Sequence, residues 1–225
     1  MNDKQRVAEH AASLVQDGMI IGLGTGSTAN YFIDALAGRC KAESLQIQVV
    51  ASSVVSSIKA EQAGLRLLAL EHISRLDLYV DGADEVTPDM TLLKGRGADL
   101  VREKLLAKAA DAFWVLIDAS KQVRHIGQNY PIPLEVMPFA WRVVQASVAE
   151  IGGLGKLRPG ASGEGLAVTS YGSLVLDVGF EAGADSAVLN GQLDAIPGII
   201  EHGIFSGLAT AIFCGHEVKV LEQWR

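Results

Sequence analysis

Cysteine is nearly missing from this chain of 225 residues: only Cys40 and Cys214 are present. Two cysteines so placed give neither a disulfide framework nor the spacing of a zinc site, and reduced thiols are expected. No apolar run reaches the length of a membrane span, and the opening MNDKQRVAEHAA lacks the basic-then-apolar order of a signal peptide. A cytoplasmic address is the expectation. Basic charge is also in deficit: the formal net charge is -7, which argues against a nucleic-acid surface. An anionic ligand would have to be drawn in by a few local cations and backbone amides. His10, His72, His125, His202 and His216 are scattered without a metal-ligand spacing, and no metal is expected.

What is present is the profile of a globular chain long enough for one large domain or two small ones. MIIGLGTGSTANYFIDALAG, from Met19, reads as buried strand, glycine loop and helix. LQIQVVASS then reads as strand, SSIKAEQAG as helix, and LRLLAL (65–70) and RLDLYV (75–80) as further strands. This alternation favours a parallel sheet with helical crossovers. ADLVREKLLAKAA (98–110) is a strong helix and AFWVLIDAS (112–120) a buried strand. Three prolines within NYPIPLEVMP mark a boundary near Asn129. Beyond it, IPLEV is strand, AWRVVQASVAEIG helix, LAVTSYGSLVLDV two strands joined at Tyr171 and Gly172, DSAVLNGQLDAI helix and GIIEHGIF strand. That β-α-β-β-α-β order is a ferredoxin-like unit. ATAIFCG and HEVKVLEQ add two strands that should return to the first sheet. The expected domains are 1–128 with 207–225, and 129–206.

Ligands collect at the carboxyl ends of parallel strands, where GLGTGST (22–28) lies. Neither register of the loop meets a dinucleotide fingerprint, and the lysine of a nucleoside-triphosphate loop is absent. What remains is an amide-rich turn with Ser27 and Thr28 at a helix N-terminus, suited to one phosphate. A tight turn in which Ser27 or Thr28 is only the N-cap is the other reading.

Residues 81–97 gather Asp81, Asp84, Glu85 and Asp89 before a glycine loop that carries Lys94. Such acids are often only turn formers. Crowded carboxylates repel unless a cation relieves them, and Lys94 is the nearest candidate. Glu103 shares a helical face with Leu100, Leu106, Ala107 and Ala110, away from Lys104 and Lys108. Desolvation there, with Asp99 at i-4, would raise its pKa toward that of a general base. An interhelical or backbone partner, or a sheet-edge location open to water, is the alternative. A phosphate cradle, a desolvated glutamate, a loop lysine and paired aspartates together match hydrogen transfer between adjacent carbons of a sugar phosphate, which needs no cofactor.

GLGTGSTA (22–29), YVDGADE (79–85), LKGRGADLVREK (93–104) and IDASKQV (117–123), followed by PLEV (133–136) and LDAIPG (193–198), resemble the ordered motifs of type A ribose-5-phosphate isomerase. The resemblance implies interconversion of ribose 5-phosphate and ribulose 5-phosphate through an enediol, in the non-oxidative pentose phosphate pathway. It implies a Rossmann-like α/β domain with a smaller ferredoxin-like α+β domain, in a homodimer or homotetramer. Carried over by position, Glu103 is the base, Asp81 and Asp84 assist ring opening and hydroxyl proton transfer, and Lys94 stabilises the oxyanion. Thr25, Gly26, Ser27 and Thr28, with Lys121, contact the substrate chiefly at its phosphate. Gly82, Ala83, Gly95, Arg96 and Gly97 complete the binding segments, and Lys4 is a further phosphate candidate.

Two features depart from the family pattern. Arg96 interrupts the glycines that usually follow the lysine, where it could contact phosphate or pair with a nearby aspartate. HGIFSGLATAIFCG differs from the commoner C-terminal segment, which points to altered packing. Competing readings are another sugar-phosphate isomerase, a deaminase, or a sugar-phosphate sensor. A sensor would usually add a DNA-binding module, whereas this sequence enters its first helix and strand almost at once.

Overall fold

A computed structural model describes residues 2–225. The chain forms two compact units: Met1–Ala83, Arg102–Lys121 and Leu208–Arg225 make the first, and Asp84–Val101 with Gln122–Gly207 make the second. Residues 84–101 and 122–128, read from sequence as part of the first domain, thus group with the second unit.

The first unit holds strands β1 (Ile20–Leu23), β2 (Gln48–Ala51), β3 (Arg66–Leu67) and β4 (Leu76–Asp81), with helices α1 (Asp3–Ser13), α2 (Ser27–Glu43) and α3 (Val54–Gln62). After β5 (Glu85–Val86) and β6 (Leu92–Leu93), which belong to the second unit, helix α4 (Leu100–Ala109) leads into β7 (Ala110–Asp118). Strands β3, β2, β1, β4 and β7 lie side by side and parallel, an arrangement that suits β1, β2, β4 and β7 because most of their residues are buried, whereas the two-residue β3 closes the edge with Arg66 exposed. Helix α2 buries Ala29, Phe32, Ile33, Leu36 and Ala37 on one stripe, and the last four pack with Ile21, Leu23, Leu78 and Val80 in a single core. The order from β3 reverses between β1 and β4, so the loops after those two strands flank the crevice where such sheets bind ligands.

In the second unit, β8 (Ile132–Val136), α5 (Trp141–Glu150), β9 (Leu154–Leu157), β10 (Leu174–Gly179), α6 (Ser186–Asp194) and β11 (Ile199–His202) follow in the expected order. They form an antiparallel sheet ordered β11-β8-β10-β9, the ferredoxin-like arrangement. Val144 and Val148 of α5 and Leu189 and Leu193 of α6 cover Ile132, Leu134, Leu176 and Val178. A small sheet of β12 (Ile204–Phe205), β6 and β5 completes this unit. Strands β13 (Ala211–His216) and β14 (Lys219–Trp224) extend the large sheet beyond β7, as expected of the C-terminal segment.

Three expected elements differ. Residues 65–70 give only the two-residue β3, after which Leu68 N–H reaches the Val49 carbonyl and the chain turns into a short 3-10 turn, Leu70–His72. The run is rich in leucine rather than in the β-branched residues that favour continued pairing. The strand that flanks β10 on the side away from β8 is not residues 166–170, which pair only by isolated bridges, but β9. Gly155 obscured this four-residue strand, yet it eases the packing: a Cβ there would stand 3.0 Å from Leu176 Cδ2. GIIEHGIF is two strands broken at Gly203, where a Cβ would lie 2.4 Å from the Lys94 carbonyl oxygen.

Candidate active site

The end of β1 and the loop after it are shaped by three glycines, two through close approach and one through its backbone conformation. A Cβ on Gly22 would come within 2.7 Å of the Tyr79 ring, and one on Gly24 within 2.0 Å of Asp81 Oδ1. Gly26 has φ of 114°, a conformation in which a side chain is strained. The loop and the end of β4 therefore touch because two side chains were omitted. Gly24 N–H seals the junction by donating to the Val80 carbonyl at 2.8 Å.

Thr25 is drawn to the opposite side. Its hydroxyl donates to Ser53 Oγ at 2.7 Å and lies 2.9 and 3.0 Å from the hydroxyls of Ser52 and Ser56, while Ser56 Oγ donates to the Gly24 carbonyl at 2.6 Å. This serine cluster after β2, unread in the sequence, braces the glycine loop from below. Only the adjacency of β1 and β2 brings it there, although the repeated serines in ASSVVSS were a visible sign. Gly26 is the N-cap of α2 and has no side chain to cap the helix, and no acid stands in the first turn. Ser27 and Thr28 thus open an electropositive helix end. Lys4 of α1 adds a cation by donating to Ser27 Oγ at 3.0 Å.

Asp81 ends β4 and is only 1% exposed. Its Oδ1 accepts from Gly82 N–H at 2.7 Å and Thr25 N–H at 3.2 Å, and its Oδ2 accepts from the Tyr79 hydroxyl at 2.6 Å. These donors hold a buried carboxylate in one orientation. Tyr79 is itself fully buried and stacked on Phe113, with ring centroids 4.8 Å apart. Burial pushes its phenol well above the ordinary value, and the charges of Asp81 and Glu103 push it further. It is consequently a permanent donor at any working pH. Glu103, in the first turn of α4, is 6% exposed beside the buried Leu106 and Ala107, so the helical projection located a desolvated carboxylate. Lys121 closes a 3-10 turn, Ala119–Lys121, directly after β7.

In the second unit the acids of 84–89 divide. Asp84 accepts a long hydrogen bond, 3.3 Å, from the Arg96 amide. Glu85, fully buried, accepts from the amides of Gly127, Asn129 and Tyr130 at 2.7, 2.5 and 3.1 Å. Asp89 accepts from the Thr87 and Thr91 hydroxyls, and the Thr87 bond holds its carboxyl below the usual range. The sequence cluster therefore separates by role: Glu85 pins the proline-rich segment, and Asp89 fixes a turn. Lys94 is 4% exposed, with its ammonium 5.7 Å from the Phe205 ring centre and its amide donating to the Gly203 carbonyl at 2.9 Å. Gly95 has φ of 102°, and a Cβ there would strike Leu100. The guanidinium of Arg96 stacks 4.1 Å over the Tyr130 ring.

Among the described residues, the one grouping of side chains with metal-ligand character is Asp194, Glu201 and His202. His202 Nδ1 accepts from the Ile204 amide at 3.2 Å, so Nε2 carries the proton and faces Asp194 Oδ1 at 3.0 Å. The imidazole is thus committed to the protein's own hydrogen bonds. No helix is long and apolar enough to cross a membrane among these residues.

Known proteins match the chain over nearly its whole length. Residues 48–219 match the family model of ribose 5-phosphate isomerase A (phosphoriboisomerase A). Ribose-5-phosphate isomerase A of Thermosynechococcus vestitus is 42% identical over 223 residues, covering 99% of this chain and 94% of the relative. That of Thermococcus kodakarensis is 39% identical over 98% of this chain and 97% of its own length. Ribose 5-phosphate isomerase A of Methanocaldococcus jannaschii superposes with a TM-score of 0.93 at 37% identity, covering 99% and 98% of the two chains. A D-ribose-5-phosphate isomerase in complex with phospho-erythronic acid gives 0.95 at 35% identity, covering each chain in full.

Proposed function

The chain belongs to the ribose 5-phosphate isomerase A family and is an aldose-ketose isomerase, and from that premise we propose how its residues interconvert D-ribose 5-phosphate and D-ribulose 5-phosphate. The observation that carries the reading is the buried carboxylate of Glu103, whose charge acts on the same buried tyrosine that orients Asp81. A carboxylate taken out of water is a stronger base, and one group serves both directions. Glu103 removes the proton from C2 of the open-chain aldose, leaving an enediolate, and returns it to C1 to give the ketose. The hydrogen moves within the substrate, so the step is redox-neutral.

The enediolate oxygen needs a cation, the role assigned to Lys94. Asp81 and Asp84 handle the hydroxyl protons of ring opening and of the O1 and O2 exchange. They are three residues apart, so the backbone alone keeps their Cα atoms within roughly 11 Å. The phosphate is assigned to the uncapped start of α2, where Gly26, Ser27, Thr28 and Lys4 gather, with Lys121 as a further cation. The phospho-erythronic acid held by a relative supports a sugar phosphate as the substrate, since it joins a phosphate to a short polyhydroxy acid. We further propose a cytoplasmic homodimer or homotetramer.

Turnover by purified protein in a chelator, on ribose 5-phosphate, arabinose 5-phosphate and glucosamine 6-phosphate in parallel, tests the substrate. Activity on ribose 5-phosphate is expected to dominate. Activity confined to glucosamine 6-phosphate would make the protein a deaminase instead.

A further inference from the structure

We propose that Arg158, paired with Asp177, is a positioning residue for the isomerisation, holding the loop that presents Lys94 and the amide that reaches Asp84. The inference rests on the role given to Lys94 above.

Arg158 divides its donors between two duties. Its Nε and Nη2 form a fork on Asp177, at 2.8 Å to Oδ2 and 2.6 Å to Oδ1. Its Nη1 donates to the carbonyl oxygens of Gly95, at 3.2 Å, and Arg96, at 3.0 Å. The Arg96 amide in turn donates to Asp84 at 3.3 Å. A continuous series of hydrogen bonds therefore runs from Asp177 through Arg158 and the peptide after Lys94 to one of the assigned acids.

The loop needs such a brace. Gly95 and Ala98 both have positive φ, and a Cβ on Gly97 would meet no atom within 4 Å. At Gly97, unlike the tightly packed Gly95, the backbone loses its geometry readily, because no side chain restricts it and space is open beside it. The brace itself stands on rigid backbone: Asp177 lies within β10, and Arg158 directly follows β9 with its amide bonded to the Val175 carbonyl at 2.9 Å. Sites built on strands hold their geometry better than sites built on loops. Lysine could not replace the arginine, since an ammonium lacks the planar fork that grips a carboxylate while other N–H groups point at carbonyls. A cavity of about 330 Å³, lined by Arg96, Tyr130, Pro131, Arg158 and Asp177, leaves the guanidinium reachable by small solutes.

The test compares Arg158→Met, Arg158→Lys, Arg158→Ala and Lys94→Met by steady-state kinetics, with thermal unfolding alongside. Misplacing a catalytic group by about 1 Å costs on the order of a hundredfold, so Arg158→Met should lower kcat about tenfold to a hundredfold while KM and the unfolding midpoint stay close to those of the parent. Millimolar guanidinium should restore part of the kcat of Arg158→Ala, and methylammonium should not. Should the methionine variant not fold, Arg158→Lys keeps the charge and is expected to fold with a reduced kcat. A parental kcat in the folded Arg158 variants, with Lys94→Met crippled, overturns the positioning role alone. Loss of kcat only in step with loss of stability, without a guanidinium response, makes Arg158 merely structural and overturns it too. A parental kcat in Lys94→Met overturns the reading of Lys94 beneath the proposal.

Discussion

Tyr79 governs the orientation of Asp81, since its hydroxyl is one of the donors that hold the buried carboxylate. Tyr79→Phe keeps the stack on Phe113 and removes that donor. Loss of a hydrogen bond to a buried charged group costs about 1–3 kcal/mol. The variant should therefore fold with a lowered unfolding midpoint and lose about tenfold or more in kcat, read by calorimetry and steady-state assay, as expected when a positioned acid drifts. At this scale the sequence was legible where the signal was local. Glu103 could be located because a helix repeats every 3.6 residues, which put it among Leu106 and Ala107. Glu85 could not be read, because the amides it satisfies belong to residues 127–130. Thr25 was read as a ligand contact, and the serines that its hydroxyl meets could not be read, since only the fold brings them near.

At the scale of elements, the start of α2 is the part on which phosphate binding depends. A helix end without a side-chain cap or a first-turn acid retains its positive character, and Lys4 from α1 adds to it. Lys4→Met should raise KM for ribose 5-phosphate about threefold to tenfold with kcat nearly kept, the pattern of lost uniform binding. Gly24→Ala should be far harsher: the new Cβ would sit inside the Asp81 carboxylate, and isomerase activity should fall to background even where the circular dichroism of the fold survives. The long elements were legible because several turns or a full buried strand repeat one pattern. The two-residue strands β5, β6 and β12 were not, since two residues carry no period and each exists only through its partner. Strand β9 was hidden for another reason: Gly155 weakens the local signal, while the close packing against Leu176 that it eases is long-range.

For the molecule as a whole, the ferredoxin-like unit carries a buried acid with no part in the proposed chemistry. Glu135 is 1% exposed and accepts from Thr169 Oγ1 at 2.8 Å; burial raises its pKa, helped by the charges of Asp99 and Glu201. The folded state therefore holds this proton more tightly than the unfolded chain, whose glutamates titrate near about 4.3. Its favourable contribution is complete below that value and is lost as the pH rises through the raised folded value. Glu135→Gln should accordingly gain stability relative to the parent as pH increases across that window, visible as a widening difference in Tm. The two-unit division and the return of the last strands to the large sheet follow from element order, which the sequence displays. The boundary inside residues 84–101 follows from packing, which it does not. The claim on which the whole account turns is that Glu103 carries the proton. The direct measurement is kcat and ribose 5-phosphate affinity of Glu103→Gln, which keeps the shape of the side chain and removes the base. Turnover should fall by about a hundredfold to ten-thousandfold with binding retained, whereas near-parental turnover would contradict the assignment.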